Sequence, residues 1–399
     1  MGDFVQIHSL VSYPGVLLNR DDVGLAKRLP FGDATRIRVS SQCLKKHWRD
    51  ALTARHAELR PAVRSREIFS LEIEAPLLAE GINPGVVRDA TEMVAAIIMK
   101  KAEKKDASPD EGEGDGADGQ ASAKESSLAT GQVLVMSRAE VEYIRGVVRR
   151  IATARQTVDT PAAAEKPAKK SAGKKSKDDA PKLSREEVAE LRAVAASFDS
   201  ALFGRFITSD ILARIDSAVS VAHAFTVHAE QAETDYFTAV DELAADSGAA
   251  MIGDAELTSG LFYVYAVIDL DQLRQNLGAQ HAESEQLSRW LIDAIATVSP
   301  GAKRGSTAPY ALSEFMLLER GSSQPRSLAN SYRRAIRTVS GSDVLETAVG
   351  ALLSERKKLS QMYGAMASVD RAYAASTLEQ IADVEHKTLP DALDAVLAA

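Results

Sequence analysis

Cysteine is nearly absent. Cys43 is the one thiol in 399 residues, which excludes an intramolecular disulfide framework and suits a reducing cytoplasm. No run of about 18 apolar residues occurs, so no membrane span and no membrane partner are expected. The N-terminus has no basic segment and carries the polar breaks Gln6, His8 and Ser9, unlike a signal peptide. Catalytic signatures are also missing: there is neither a Walker-type phosphate loop nor a GxSxG elbow. His223 and His228 stand five residues apart, about 140° around a helix and unlike the four-residue step of a zinc-binding pair. Asp21 and Asp22 of "NRDD" and Asp269 and Asp271 of "IDLDQ" bring a metal-dependent nuclease into consideration, but adjacent acids such as Asp21 and Asp22 diverge in extended chain, whereas a two-metal site needs converging carboxylates from several elements. No metal site and no cofactor are expected, and a non-enzyme is favoured over the alternative of a metal-dependent nuclease.

What is present is concentrated positive charge. The formal net charge is -8, yet from Val23 to Arg49 seven cations (Lys27, Arg28, Arg36, Arg38, Lys45, Lys46, Arg49) face the single acid Asp33, a local +6. An electrostatic footprint is set by such a patch and not by the chain total. "RIRV" alternates charge with β-branched residues as a half-buried strand does. Ser40 and Ser41 offer caps for a helix that places Cys43, Leu44, His47, Trp48, Ala51 and Leu52 inward and Gln42, Lys45, Lys46 and Arg49 outward. Strand arginines, helix cations and the free N–H groups of a helix start together suit phosphate.

The rest of the chain is uneven. Residues 4–12 read as a strand and 41–59 as a helix; further helices start at Asn83, with Pro84 in the first turn, at Ser137, with Glu140 completing a capping box, and after Leu183. Between them lie two tracts, about 103–130 and 158–182, that are rich in Gly, Ser, Ala, Asp and Lys. Such composition cannot offset its ordering entropy, so both are expected to be disordered. A length of 399 residues allows two or three structural units.

The ordered set "FVQIHSLVS", "LNRDD", Lys27, Phe31–Gly32, "RVSSQ" and "LKK" resembles the CasC family, the crRNA-binding backbone subunit of type I-E CRISPR Cascade. "GRF" with "TSD", "DSAVSVAHAFTVH", "DYFTAVDEL", "TSGLFYVYAVIDLDQL", "NLG", "PGAKR" and "YALSEFMLLER" continue the likeness, which covers roughly residues 1–60 and 198–345. The resemblance implies an α+β fold: a ferredoxin-like, RRM-type palm sheet, a helical fingers region and a long thumb hairpin. It places the first part of the palm at 1–60, fingers at 61–200, the second part of the palm at 201–345 with a thumb at about 231–261 and a Gly-rich tip, and a C-terminal helical segment at 346–399. It implies assembly without catalysis: several copies hold the spacer of a crRNA by its phosphates, displace bases at intervals with their thumbs, and present the guide to target DNA. Further copies of the chain and other Cascade subunits are the implied protein partners. By match to the family motif, Asn19, Arg20, Lys27, Arg38, Ser40, Gln42, Lys45, Lys46, Arg49 and Phe206 would bind RNA, with Lys303 and Arg304 nearby. Tyr236, Phe237 and Val240 would form a thumb wedge, where hairpin packing is the alternative role for the aromatics. A generic RNA-binding module without assembly is the other alternative.

Overall fold

The computed structural model describes residues 2–99, 128–158, 183–207, 209, 211–240, 249–278, 281–337, 342–367 and 369–398. In chain order, β1 (Phe4–Val16), β2 (Arg28–Phe31), β3 (Ala34–Val39) and α1 (Ser41–Arg55) come first. Then follow β4 (Val63–Ser65), a π-helical turn (Ser70–Glu74), α2 (Ala75–Ala79), α3 (Pro84–Ile98), β5 (Leu134–Met136), α4 (Arg138–Val158), α5 (Arg185–Ala193) and α6 (Phe198–Phe203). β6 (Val219–Val221), β7 (Ala224–Thr226), β8 (Ala232–Val240), β9 (Ala249–Asp269), α7 (Leu270–Leu277), α8 (His281–Thr297) and α9 (Arg304–Thr307) lead into β10 (Phe315–Gly321). The chain ends with α10 (Val344–Tyr363), β11 (Arg371–Ser376), β12 (Glu385–His386) and α11 (Leu389–Leu397). No helix among the described residues is long and apolar enough to cross a membrane.

Two compact units divide these elements. The first holds residues 1–59, 201–203 and 217–399; the second holds 60–200 and 204–216. The first unit is built on one sheet of order β12-β11-β10-β1-β9-β7-β3-β2, with β6 and β8 also paired to β9. β1 lies antiparallel between β9 and β10, and β9 antiparallel to β7. With α1 and α8 as the connecting helices, the path β1-α1-β7-β9-α8-β10 is ferredoxin-like. Strand alternation separates two cores. Val11, Phe262 and Val264 meet Leu44 and Trp48 of α1 and Ile295 of α8 on one face. On the other, Leu10, Tyr263, Phe315 and Leu317 meet Tyr332 and the α10 residues Leu345, Val349 and Leu352. The face that an open RRM-type sheet offers to bases is therefore filled. Residues 346–399, expected as helical, also supply β11, an edge-side partner of β10 whose Ala374 packs into this second core.

In the second unit, Phe69, Ile73, Val94, Ile98, Ile144 and Val148 bury the apolar stripes of three helical segments together. Local capping positions the helices: Asn83 accepts the Gly85 N–H (3.0 Å), Ser137 and Glu140 exchange backbone bonds (2.9 and 2.8 Å), and Ser184 and Glu187 form a capping box. Glu140 also takes the buried Arg205 guanidinium at 2.5 Å. Most of both low-complexity tracts falls outside the described residues. The end of the first, however, is packed: Leu128 is buried in this core, and Thr130 Oγ1 donates to the Arg66 and Gln132 carbonyls (3.1 and 2.7 Å). One large apolar residue suffices to anchor a segment that its neighbours' composition marks as unstructured.

Candidate nucleic-acid interface

The basic segment is folded around α1. Ser40 stands at the N-cap, its Oγ accepting the Cys43 N–H at 3.3 Å, and the first turn carries no acid to cancel the positive helix end. Asn19 Oδ1 receives the Ser40 N–H at 2.9 Å and so ties the loop before β2 to the start of the helix. Asp21 Oδ1 accepts the Val23 and Leu25 N–H groups (3.1 and 2.8 Å), turning the same loop. A cleft of about 510 Å³ opens there, lined by Asn19, Arg20, Asp22, Cys43, His47 and Ala302 among others.

The cations divide into paired and unpaired sets. Arg28 is bound by Glu230 (2.5 Å) and Glu256. Arg36, counted above with the surface charge, is fully buried and donates to the Thr226 and Tyr332 carbonyls (3.1 and 2.8 Å). Lys46 and Arg49 both reach Asp50 (2.7 and 3.4 Å), one residue beyond the interval in which the acids were counted. The +6 read from sequence therefore overstates the available charge. Lys45 is half-buried, its ammonium over the Phe203 ring at 5.8 Å, and burial pulls its pKa down. Exposed Arg20 and Gln42 flank the site.

Lys27 and Arg38 converge with a residue that local reading missed. Arg38 donates to His223 Nδ1 at 3.1 Å and to the Arg28 carbonyl at 3.2 Å. Burial first, then the charges of Arg38 and Lys27, lower the His223 pKa and keep its ring neutral. His223 lies between β6 and β7 and not on a helix, so the spacing argument applied to it does not hold. Its partner is 185 residues away in sequence, and no local pattern could have joined them.

The expected thumb is an antiparallel ribbon of β8 with the first half of β9. Of residues 247–260, read as a Gly-rich tip, 247 and 248 lie outside the described residues and 249–260 are strand: Phe237 pairs with Gly253, where an added Cβ would come within 2.6 Å of the Phe237 ring. The glycine lets the ring lie across the ribbon. Tyr236 is 63% and Phe237 40% exposed, so neither is buried packing; Lys303 lies over the Phe237 ring at 5.3 Å. Val240 ends β8, opposite Ala249. Phe206 belongs to the second unit, is 76% exposed, and carries the Arg214 guanidinium 5.6 Å above its ring. No group of three potential metal ligands occurs among the described residues.

The family model for CT1975-like protein matches residues 5–399. The chain belongs to the CT1975-like family. A solved chain described as "CRISPR RNA-guided surveillance complex, pre-nicking" superposes on this CT1975-like chain with a TM-score of 0.78, at 24% identity, over 99% of both chains. A second, described as "CRISPR RNA-guided surveillance complex", gives 0.70 at 22% identity, again over 99% of both. These likenesses establish the α+β fold. No curated protein matches the sequence.

Proposed function

We propose that this CT1975-like chain is a non-catalytic backbone subunit of an RNA-guided surveillance complex, of the CasC kind in type I-E Cascade, that grips crRNA by its phosphates. The observation that carries the reading is the convergence of Lys27, Arg38 and a neutral His223 beside the acid-free first turn of α1. Sequence-independent binding wants charge and backbone donors and no base-edge readers. The filled sheet faces favour the strand and helix ends as the RNA surface. Several copies would line one spacer, with the exposed Tyr236 and Phe237 of each ribbon set against displaced bases and the guide paired to target DNA. Palm, fingers and thumb are the natural roles for the sheet, the second unit and the ribbon. The nuclease alternative is the weaker one because Asp21 is engaged with its own turn.

Lys46 and Arg49 already have Asp50, so Lys27→Ala with Arg38→Ala is the sharper test. Guide-RNA binding by this pair, measured across salt, should weaken and lose about 0.7 of log–log slope per lost phosphate contact. A folded variant with the parental slope would remove the groove from the account. Length-defined multimers on a crRNA, against single bound chains, separate assembly from a generic RNA-binding module.

A further inference from the structure

A second charged segment has no part in that grip. Residues 322–337, SSQPRSLANSYRRAIR, hold four arginines and no acid. Arg326 turns inward to Glu319 at 3.2 Å. Arg333, Arg334 and Arg337 are exposed, and neither Arg333 nor Arg334 has an ion pair among the described residues.

The backbone beneath them is fastened along its length. The Arg326 N–H donates to Gln6 Oε1 (2.7 Å) and the Leu328 N–H to the Tyr263 hydroxyl (3.2 Å). The Tyr332 ring is buried, its carbonyl receives Arg36, and its hydroxyl donates to the Ala348 carbonyl (3.1 Å). The Asp33 N–H donates to the Arg333 carbonyl (3.2 Å), the Ala335 N–H returns to Asp33 Oδ1 (2.7 Å), and the Ile336 N–H reaches the Val227 carbonyl (2.9 Å). At the β2–β3 turn Gly32 has φ +65°, and a Cβ there would come within 1.6 Å of the Arg333 carbonyl oxygen. Only glycine permits that approach.

We infer that this strap is a second nucleic-acid surface, on which Arg333 and Arg334 hold backbone phosphates. The inference rests on the reading proposed above. Adjacent, uncompensated guanidiniums on an immobilised backbone repel each other until a polyanion meets them, and their planar forks suit phosphate. Prior fastening lowers the ordering cost of that contact. The apolar residues Leu328, Tyr332 and Ile336 turn inward, so the chain beside Arg333 and Arg334 offers charge without a large apolar side chain of its own to centre a protein interface; the groove that Pro325 and Asn330 share with Leu359, Tyr363 and Met366 belongs to the other half of the segment. The surface is distinct from the first one: Arg28 pairs with Ile37 at one end of the β2–β3 hairpin and Phe31 with Ala34 at the other, about 10 Å apart at strand rise.

The test is Arg333→Gln with Arg334→Gln, checked by melting temperature, beside Arg333→Lys with Arg334→Lys and the Lys27/Arg38 variant. Binding is followed across salt in two arms: guide RNA on the purified chain, and target DNA on the guide-loaded complex. The Gln pair should flatten the slope by about 1.4 in the RNA arm or about 1.8 in the duplex arm, whichever strand it holds, and the Lys pair should keep it. Parental slopes in both arms, with the Lys27/Arg38 slope reduced, overturn the strap and leave the groove standing. Parental slopes accompanied by failure of the complex to assemble would mark an acidic protein partner and equally overturn it. If the Lys27/Arg38 variant is also unchanged, the parent reading fails too.

Discussion

Glu319 on β10 is fully buried, with Arg356 Nε at 2.7 Å and Arg326 Nη2 at 3.2 Å; His8 Nε2 stands at 3.6 Å. Burial alone would push its carboxyl up, but the Arg326 and Arg356 guanidiniums, joined by His8 only when that ring is protonated, which its own burial opposes, outweigh this and hold it at about 2, below its usual 4.5. The unfolded chain therefore takes up a proton below about pH 4.5 that the folded chain refuses until about pH 2. Stability from this group is present above that window and is lost as pH falls through it, by roughly 3 kcal/mol in total. Glu319→Gln is expected to cost about 1.5–3 kcal/mol at neutral pH, since it removes the charge from the hydrogen bonds of two half-buried guanidiniums, and to flatten the acid limb. Chemical denaturation at pH 7, 4.5 and 2.5 checks both; an unchanged acid limb would mean that the network does not hold Glu319 ionised.

The β8–β9 ribbon is the element whose chemistry is most exposed. Tyr236 faces solvent, so Tyr236→Ala should shift stability by no more than about 0.5 kcal/mol. If the ring stacks against displaced bases, its loss should cost target-DNA binding about 1–3 kcal/mol while sparing guide loading. Gel shifts on complexes matched for guide content decide this, and parental affinity for target would reduce Tyr236 to ribbon surface. Elements of this kind were partly legible in the sequence. Helix starts at Ser40, Asn83, Ser137 and Ser184 could be read because a cap is a bond between residues two or three apart. The ribbon's Gly-rich strand was not, because the ring that covers Gly253 comes from the partner strand, sixteen positions away.

At the scale of the whole molecule, the sheet was only partly legible in the sequence, and the charge on its candidate site was not. β3 shows its alternation locally, whereas β10 is an apolar run, Phe315–Leu318, buried on both faces, whose local pattern fits a buried helix equally well. Whether Arg28, Arg36, Lys46 or Arg49 is available depends on Glu230, Glu256, Tyr332 and Asp50, three of them far along the chain. A net charge summed over neighbours in sequence cannot register those pairs. The central claim, that the chain grips a guide RNA through Lys27 and Arg38, is most directly tested by sequencing the RNA that copurifies with it from cells carrying a CRISPR array. The account predicts spacers flanked by repeat sequence on the parental chain and their depletion from the folded Lys27→Ala, Arg38→Ala variant. RNA without enrichment for spacers, or equal enrichment on both chains, would contradict it.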